Sequence, residues 1–179
     1  MVALMWASEV VDVIAGHRLD RLGIEPRETD GLIGVVTAPF LHGGFGHLIS
    51  NTLPFATMGL VIAFQGAARV LAVTGLVALV SGLGAWLLGE EGTVHIGASG
   101  VVFGYATYLV ARGFFNRDAM EIGIGAVVAI VWGGALTGGL LPEEGISWQS
   151  HVFGAIGGLI AAQVFARKRE GGRTSASPA

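Results

Sequence analysis

The chain contains no cysteine and few charged residues, and both shortages narrow its possible functions. Without cysteine it has no disulfide, no thiolate nucleophile and no cysteine-ligated metal site. Only 13% of its 179 residues are charged, against about 25% in an ordinary soluble domain. The formal net charge is -3 and the basic residues form no stripe interleaved with aromatic residues, so we expect no nucleic-acid partner.

A basic segment is also missing near residue 1. Residues 1–16 hold no Lys or Arg and contain Glu9 and Asp12, so they do not resemble a cleaved signal peptide.

Apolar residues and glycine, by contrast, dominate the composition. Hydrophobic residues account for 53% of the chain, the mean hydropathy is +0.69, and 30 residues are glycine. This composition is typical of a membrane protein whose helices approach closely through small residues. We expect an all-α, polytopic membrane protein with a single domain over residues 1–166, followed by a tail, residues 167–179, that is basic and then disordered.

Six apolar runs follow one another, at residues 1–16, 47–65, 70–88, 96–111, 120–141 and 148–166. A spanning helix needs about 17 to 25 apolar residues, so the second, third and fifth runs qualify directly. As helices, the fourth run and the part of the sixth run from residue 151 would each be roughly 24 Å long, which is less than the roughly 30 Å of the hydrocarbon core. Each of these helices must therefore begin below the membrane surface. The first run is short and is expected to be truncated. We predict a bundle of six transmembrane helices.

The basic residues indicate the orientation of this bundle. Seven of them follow the second, fourth and sixth runs, on one side: Arg69, Arg112, Arg117, Arg167, Lys168, Arg169 and Arg173. The opposite connections carry four acidic residues and no basic ones: Glu90, Glu91, Glu143 and Glu144. The positive-inside rule places the C-terminus in the cytoplasm, although the connection 17–44 carries three arginines on the predicted outer side.

Polar side chains begin the three runs that start at the outer face. His47 and Asn51 lie one helical turn apart in the second run, Ser99 begins the fourth run, and His151 begins the sixth. The fourth and sixth runs also carry small-xxx-small pairs, which are Gly100 with Gly104 and Gly154 with Gly158. Packing of these pairs would place Ser99 next to His151.

A serine beside a histidine at membrane depth indicates a nucleophile and its general base. Ser99 would attack from a helix N-terminus, where free N–H groups favour developing negative charge. His151 would remove the hydroxyl proton, and because no acidic residue accompanies it the pair would be a dyad. Candidate donors to the oxyanion are the Ser99 N–H and the side chains of His47 and Asn51. Phe103, one turn after Ser99, could pack on the His151 ring.

Each of these residues also has a structural interpretation. Ser99 could be a helix N-cap, and His151 could be a buried histidine with satisfied hydrogen bonds. His47 and Asn51 could hold neighbouring helices together. A small transporter would also bury polar groups, but runs 70–88 and 120–141 hold no charge except Glu121.

Together the patterns resemble those of the rhomboid intramembrane proteases, especially bacterial six-helix members, over residues 23–165. Residues 47–51 (HLISN) resemble the family's H-x-x-x-N, residues 97–100 (GASG) its G-x-S-G, and residues 151–158 (HVFGAIGG) its last-helix histidine and glycines. The resemblance implies an integral protein of a bacterial plasma membrane that cleaves single-span membrane proteins near the outer end of their transmembrane helix, without cofactor or metal. The residues it implies as supports of the dyad are Phe103, Gly97, Gly100, Gly104, Gly154 and Gly158.

Three positions depart from the family's pattern. Many rhomboids have a Trp-Arg pair in the first loop, where this chain has Ile33 and Gly34. Phe103 replaces the tyrosine that is usually stacked on the catalytic histidine, and Ser150 replaces a small alanine. None of these changes removes a catalytic group. A catalytically inactive rhomboid-like protein, which would bind clients without cutting them, usually lacks the serine or the histidine that this chain has.

Overall fold

The computed structural model describes residues 1–142 and 145–167, and in these ranges the regular structure is helical apart from one isolated β-bridge. It contains seven α-helices: α1 Val2–Ile14, α2 Gly34–Thr37, α3 Phe45–Ala63, α4 Ala67–Leu88, α5 Ser99–Asn116, α6 Ala119–Gly138 and α7 Trp148–Val164. Three short 3-10 helices lie in the connection between α1 and α3: Leu19–Leu22, Asp30–Ile33 and Ala38–Phe40.

The all-α prediction is confirmed, whereas the described residues contain seven α-helices and not the six expected. The additional helix, α2, is only four residues long, too short to produce a periodic signal in the sequence. Among the helices of the described residues, three are long and apolar enough to cross a membrane, namely α3, α4 and α6. They correspond to the three runs that qualified on length. The expected acidic pair at residues 143 and 144, and all of the expected tail over 167–179 except Arg167, lie outside the described residues.

Two helices are longer than their apolar runs. Because α4 begins at Ala67 and α5 ends at Asn116, Arg69 and Arg112 lie inside helices and not in the connections. Each guanidinium extends to a partner at the end of another helix. Arg69 donates to the carbonyl of Phe165 (3.1 Å), beyond α7, and Arg112 pairs with Glu121 in the first turn of α6. Arginine can lie in a helix in this way because its long apolar stem packs while its charged end reaches a partner.

The centre of the bundle is α5, of which eleven residues are buried. Its most extensive contact is with α7, which also packs along α4, whereas α6 contacts mainly α5 and buries only three of its residues. The bundle is therefore built on the α4, α5 and α7 group, with α6 outside it.

Backbone touches backbone between α5 and α7. A Cβ on Gly154 would overlap the carbonyl group of Gly100, and a Cβ on Gly158 would overlap that of Gly104. Any larger residue at these positions would push the helices apart. The close approach brings together the first turns of α5 and α7.

The connection between α1 and α3 is fixed first by its backbone. Ile24 and His95 form the isolated antiparallel bridge, in which each N–H donates to the other residue's carbonyl at 2.9 Å. Gly34, one of the positions that depart from the family's pattern, lies so close to the backbone of Gly23 and Ile24 that a Cβ would overlap it. A glycine here permits the close contact.

Two side chains complete this anchoring. Arg27 pairs with Glu91 (2.7 Å) and donates to the Leu87 carbonyl (3.1 Å), and the Trp86 indole N–H donates to the Glu28 carbonyl (2.8 Å). This connection, which is the first loop of the family's pattern, is thus attached to the end of α4 without a Trp-Arg pair at positions 33 and 34.

Candidate active site

Three helices begin at the same end of the bundle, and each carries sequence-predicted site residues in its first two turns. His47 and Asn51 lie on α3, Ser99 is the first residue of α5, and His151 is the fourth residue of α7. All four line one open cavity of about 990 Å³. The N-cap of α5 is Ala98, so the interpretation of Ser99 as a helix cap is wrong.

The serine and the histidine are hydrogen-bonded to each other. Ser99 Oγ lies 2.8 Å from His151 Nε2, and His151 Nδ1 lies 2.6 Å from the carbonyl oxygen of Gly139, just beyond α6. A carbonyl oxygen can only accept, so Nδ1 carries the proton of the neutral ring and donates it to Gly139. Nε2 is then left with a lone pair and accepts a hydrogen bond from the Ser99 hydroxyl.

An aromatic ring covers one face of the histidine. The rings of Phe103 and His151 are stacked, with centroids 4.2 Å apart and planes inclined by only 7°. His151 is therefore restrained at both ring nitrogens and by the stacked ring, which limits its rotation. This arrangement uses the ring of Phe103 and does not need the hydroxyl of a tyrosine.

Gly97 brings the α3 residues close to Ser99. Its φ of +115° is a conformation that side-chain-bearing residues rarely adopt, and a Cβ there would lie 2.7 Å from atoms of the His47 imidazole. The same position is 3.8 Å from Asn51 Nδ2, which also donates to the His47 carbonyl at 3.0 Å. Both side chains thus face the backbone two residues before Ser99.

A second histidine supports the chain just before Ser99. Burial, followed by the neighbouring His47, lowers the pKa of His42 to about 4, so its ring is neutral at physiological pH. Its Nε2 accepts a long hydrogen bond of 3.5 Å from the Ala98 amide. The His42 and His47 rings meet edge to face at 5.1 Å.

Sequence reasoning missed two contacts that position the site. The Gly139 carbonyl is a backbone atom, and no residue type marks it in the sequence. Ser81 of α4 donates to the Ser150 carbonyl (2.8 Å), and its hydroxyl occupies the space that a Cβ on Gly100 would need. The Ser150 hydroxyl, at a position where the family usually has alanine, shares a hydrogen bond with the Ser147 hydroxyl (2.8 Å).

No cluster with metal-ligand spacing lines this cavity in the part of the chain that the structure describes. The cluster with such spacing lies at the end of α1 and consists of Asp12, His17 and Asp20.

Comparison with known proteins places the chain in a family. Residues 29–168 match the model of the rhomboid domain, a range that includes His47, Asn51, Ser99 and His151. An uncharacterised protein of Mycobacterium tuberculosis is 41% identical over 189 residues, which cover 97% of this chain and 79% of the relative. A Mycobacterium leprae protein, also uncharacterised, is 40% identical over 169 residues, covering 89% of this chain and 66% of its own length.

A more distant relative has a functional name. A protein of Bacillus subtilis named "putative rhomboid protease" is 26% identical over 138 residues, which cover 76% of this chain and 68% of that protein. The family match spans well over half of the chain and includes the helices α2 to α7. The chain therefore belongs to the rhomboid family of integral membrane proteins.

Proposed function

We propose that this protein is an intramembrane serine endopeptidase that cleaves transmembrane segments of single-span membrane proteins. The observation that carries the proposal is the 2.8 Å hydrogen bond between Ser99 Oγ and His151 Nε2. Because His151 Nδ1 donates to Gly139, the ring has the tautomer that a general base needs. Membership of the rhomboid family and the name of the B. subtilis relative support the same activity.

In the proposed reaction His151 Nε2 takes the proton of Ser99 as Oγ attacks the scissile carbonyl carbon. The positive charge that develops on the ring is stabilised by the Gly139 carbonyl, which keeps its hydrogen bond to Nδ1. His151 then protonates the leaving amine, and an acyl group remains on Ser99. Water, deprotonated by the same Nε2, releases the second product and restores the serine. The scheme needs neither cofactor nor metal.

The tetrahedral oxyanion requires donors placed in advance, and three lie around the cavity. As the first residue of α5, Ser99 has a backbone N–H without an acceptor in its own helix. The His47 imidazole and the Asn51 amide, both beside Gly97, are the other two donors in our proposal. The glycines Gly100, Gly104, Gly154 and Gly158 act indirectly, by setting the distance between the helices of the dyad.

In the membrane, we propose that all six longer helices of the single domain over residues 1–166 span or enter the bilayer. The basic residues after α3, α5 and α7 support a cytoplasmic C-terminus, with the active site opening to the outer face. The mycobacterial relatives support a bacterial plasma membrane.

The proposal is tested with the purified protein in liposomes containing tagged single-span proteins, with products mapped by mass. We expect cleavage within or beside the transmembrane segment, and no cleavage by Ser99→Ala or His151→Ala. A fluorophosphonate, which labels activated serines whatever the natural substrate is, should label the wild type and not Ser99→Ala. Absence of both cleavage and labelling in a folded wild-type protein would favour an inactive client-binding protein and overturn the proposal.

A further inference from the structure

A cluster of ionisable side chains lies at the end of α1, apart from the proposed active site. Ligand atoms of Asp12, His17 and Asp20 all lie within 4.8 Å of one another. His17 Nδ1 is 3.3 Å from Asp12 Oδ2 and 3.8 Å from Asp20 Oδ2. The backbone holds this arrangement, because the Leu19 N–H donates to Asp12 Oδ1 at 2.6 Å. Glu9 precedes Asp12 by three residues on the same face of α1.

Several carboxylate oxygens of this cluster are buried without a hydrogen-bond partner. Glu9 is only 1% exposed and Asp12 only 2%. Among the described residues, six buried side-chain polar atoms lack a hydrogen-bond partner, and four of them are Glu9 Oε1 and Oε2, Asp12 Oδ2 and Asp20 Oδ1. The amide of Gly44 lies beside the Glu9 carboxylate but outside hydrogen-bond geometry. Such groups destabilise a fold unless something compensates them.

Positive charge is also scarce around the cluster. Within residues 1–142 and 145–167, the ion-pair partner of Asp12 and Asp20 is His17, whose side chain is 54% exposed, and Glu9 has none. Three carboxyl groups and one imidazole thus lie close together at the end of α1. A single divalent cation bound there would neutralise most of the negative charge of the carboxylates.

We propose that Asp12, His17 and Asp20 bind a divalent transition-metal ion such as Mn²⁺, with Glu9 adding negative charge from the preceding turn of α1. Carboxylate oxygens suit Mn²⁺, and an imidazole favours transition metals over Ca²⁺ or Mg²⁺. The ion would join the end of α1 to the Leu19–Leu22 turn. Because Glu9 lies beside Gly44, the residue before α3, the same ion would help to fix α1 against the helix that carries His47 and Asn51.

The test measures metal binding directly and does not depend on proteolysis. The purified full chain is stripped with EDTA, exchanged into chelator-free buffer and titrated with MnCl₂, while electron paramagnetic resonance reports free Mn²⁺. We expect one bound Mn²⁺ per chain. Asp12→Asn and His17→Gln should each weaken binding by about tenfold or more, since each removes a ligand. Asp30→Asn, an exposed acidic residue of the same connection, is the matched control and should bind as the wild type does.

Thermal unfolding separates loss of the site from loss of the fold. Without metal, Asp12→Asn should unfold at or above the wild-type temperature, because it removes a buried charge. Added Mn²⁺ should raise the unfolding temperature of the wild type and of Asp30→Asn but not that of Asp12→Asn. Absence of bound Mn²⁺ in the folded wild type at millimolar concentration, or wild-type affinity in Asp12→Asn, would overturn the proposal.

Discussion

The helices α6 and α7 both pack against α5, yet they do so in opposite ways. α7 lies between α4 and α5, and three of its glycines, Gly154, Gly157 and Gly158, are in close contact with those helices. α6 lies outside, and most of its glycines face open space: Gly123, Gly133, Gly134 and Gly138 have no atom within 4 Å of an added Cβ. Gly125 is the exception in α6, because a Cβ there would lie 2.9 Å from Val110 Cα. Glycine is thus a packing requirement along α7, and in α6 only at Gly125.

The site depends on both regions. The distance between Ser99 and His151 is set by the tight α5 and α7 pair, whereas the orientation of the His151 ring depends on Gly139, at the end of the loosely packed α6. At its other end α6 is fixed by Glu121, which binds Arg112, Asn116 and Arg167. Substitutions in the two regions should therefore affect different properties of the protein, and the following predictions run from the largest expected effect on cleavage to the smallest.

The same substitution in the two helices should have very different results. In Gly154→Ala the new Cβ would overlap the Gly100 carbonyl, so α5 and α7 must separate. We expect cleavage to fall by about a hundredfold or more, because a displacement of roughly 1 Å can cost that much, and the unfolding temperature to fall as well. Gly133→Ala on α6 meets nothing within 4 Å and is the control. Similar losses in both variants would contradict the contrast between the helices.

Removing the ring that covers His151 should produce the next largest loss. We expect Phe103→Ala to lose most of its activity, on the order of tenfold to a hundredfold in kcat, because the imidazole gains rotational freedom. Phe103→Tyr keeps the ring and should be close to wild type. Initial cleavage rates in liposomes, with expression as a check on folding, provide the measurement. Wild-type kcat in Phe103→Ala would show that the stacked ring is dispensable.

Gly139→Ala tests the contribution of α6 to the orientation of the dyad. Its Cβ would lie 3.0 Å from Phe103 Cζ and 3.1 Å from His151 Nδ1, so the ring must shift by a few tenths of an ångström. We expect a decrease in kcat of about tenfold, with KM and the unfolding temperature nearly unchanged. Gly138→Ala, at the adjacent position with open space, should match the wild type. A loss of stability comparable to that of Gly154→Ala would mean that α6 is part of the core after all.

At the far end of α6, a change should reduce stability and leave the chemistry intact. Glu121→Gln removes the charge that pairs with the nearly buried Arg112, and breaking a buried pair costs about 3 kcal/mol or more. We expect a lower unfolding temperature, with a normal cleavage rate at temperatures where the protein is folded. Glu91→Gln breaks the exposed pair with Arg27 and should change stability by less than about 1 kcal/mol. If both variants lower the unfolding temperature by the same amount, the contacts of Glu121 do not fix α6.

Hydropathy and glycine spacing were sufficient to predict the long helices and the proximity of Ser99 to His151. These features depend on side-chain type, which a sequence records. The Gly139 carbonyl was missed because every residue has one, and only the path of the chain decides which carbonyl reaches Nδ1. Arg112 was placed in a connection because a charge ordinarily ends an apolar run, yet here Glu121 compensates it inside the bundle.

The Ile24 and His95 bridge has a consequence for how much substitution the connection between α1 and α3 can tolerate. Its two hydrogen bonds join backbone atoms only, four residues before the nucleophile, so any residue with a backbone N–H can form them. A loop attached in this way is held partly by its backbone and does not depend on its anchoring side chains alone. We therefore expect this loop to keep its course when Arg27 or Trp86 is replaced.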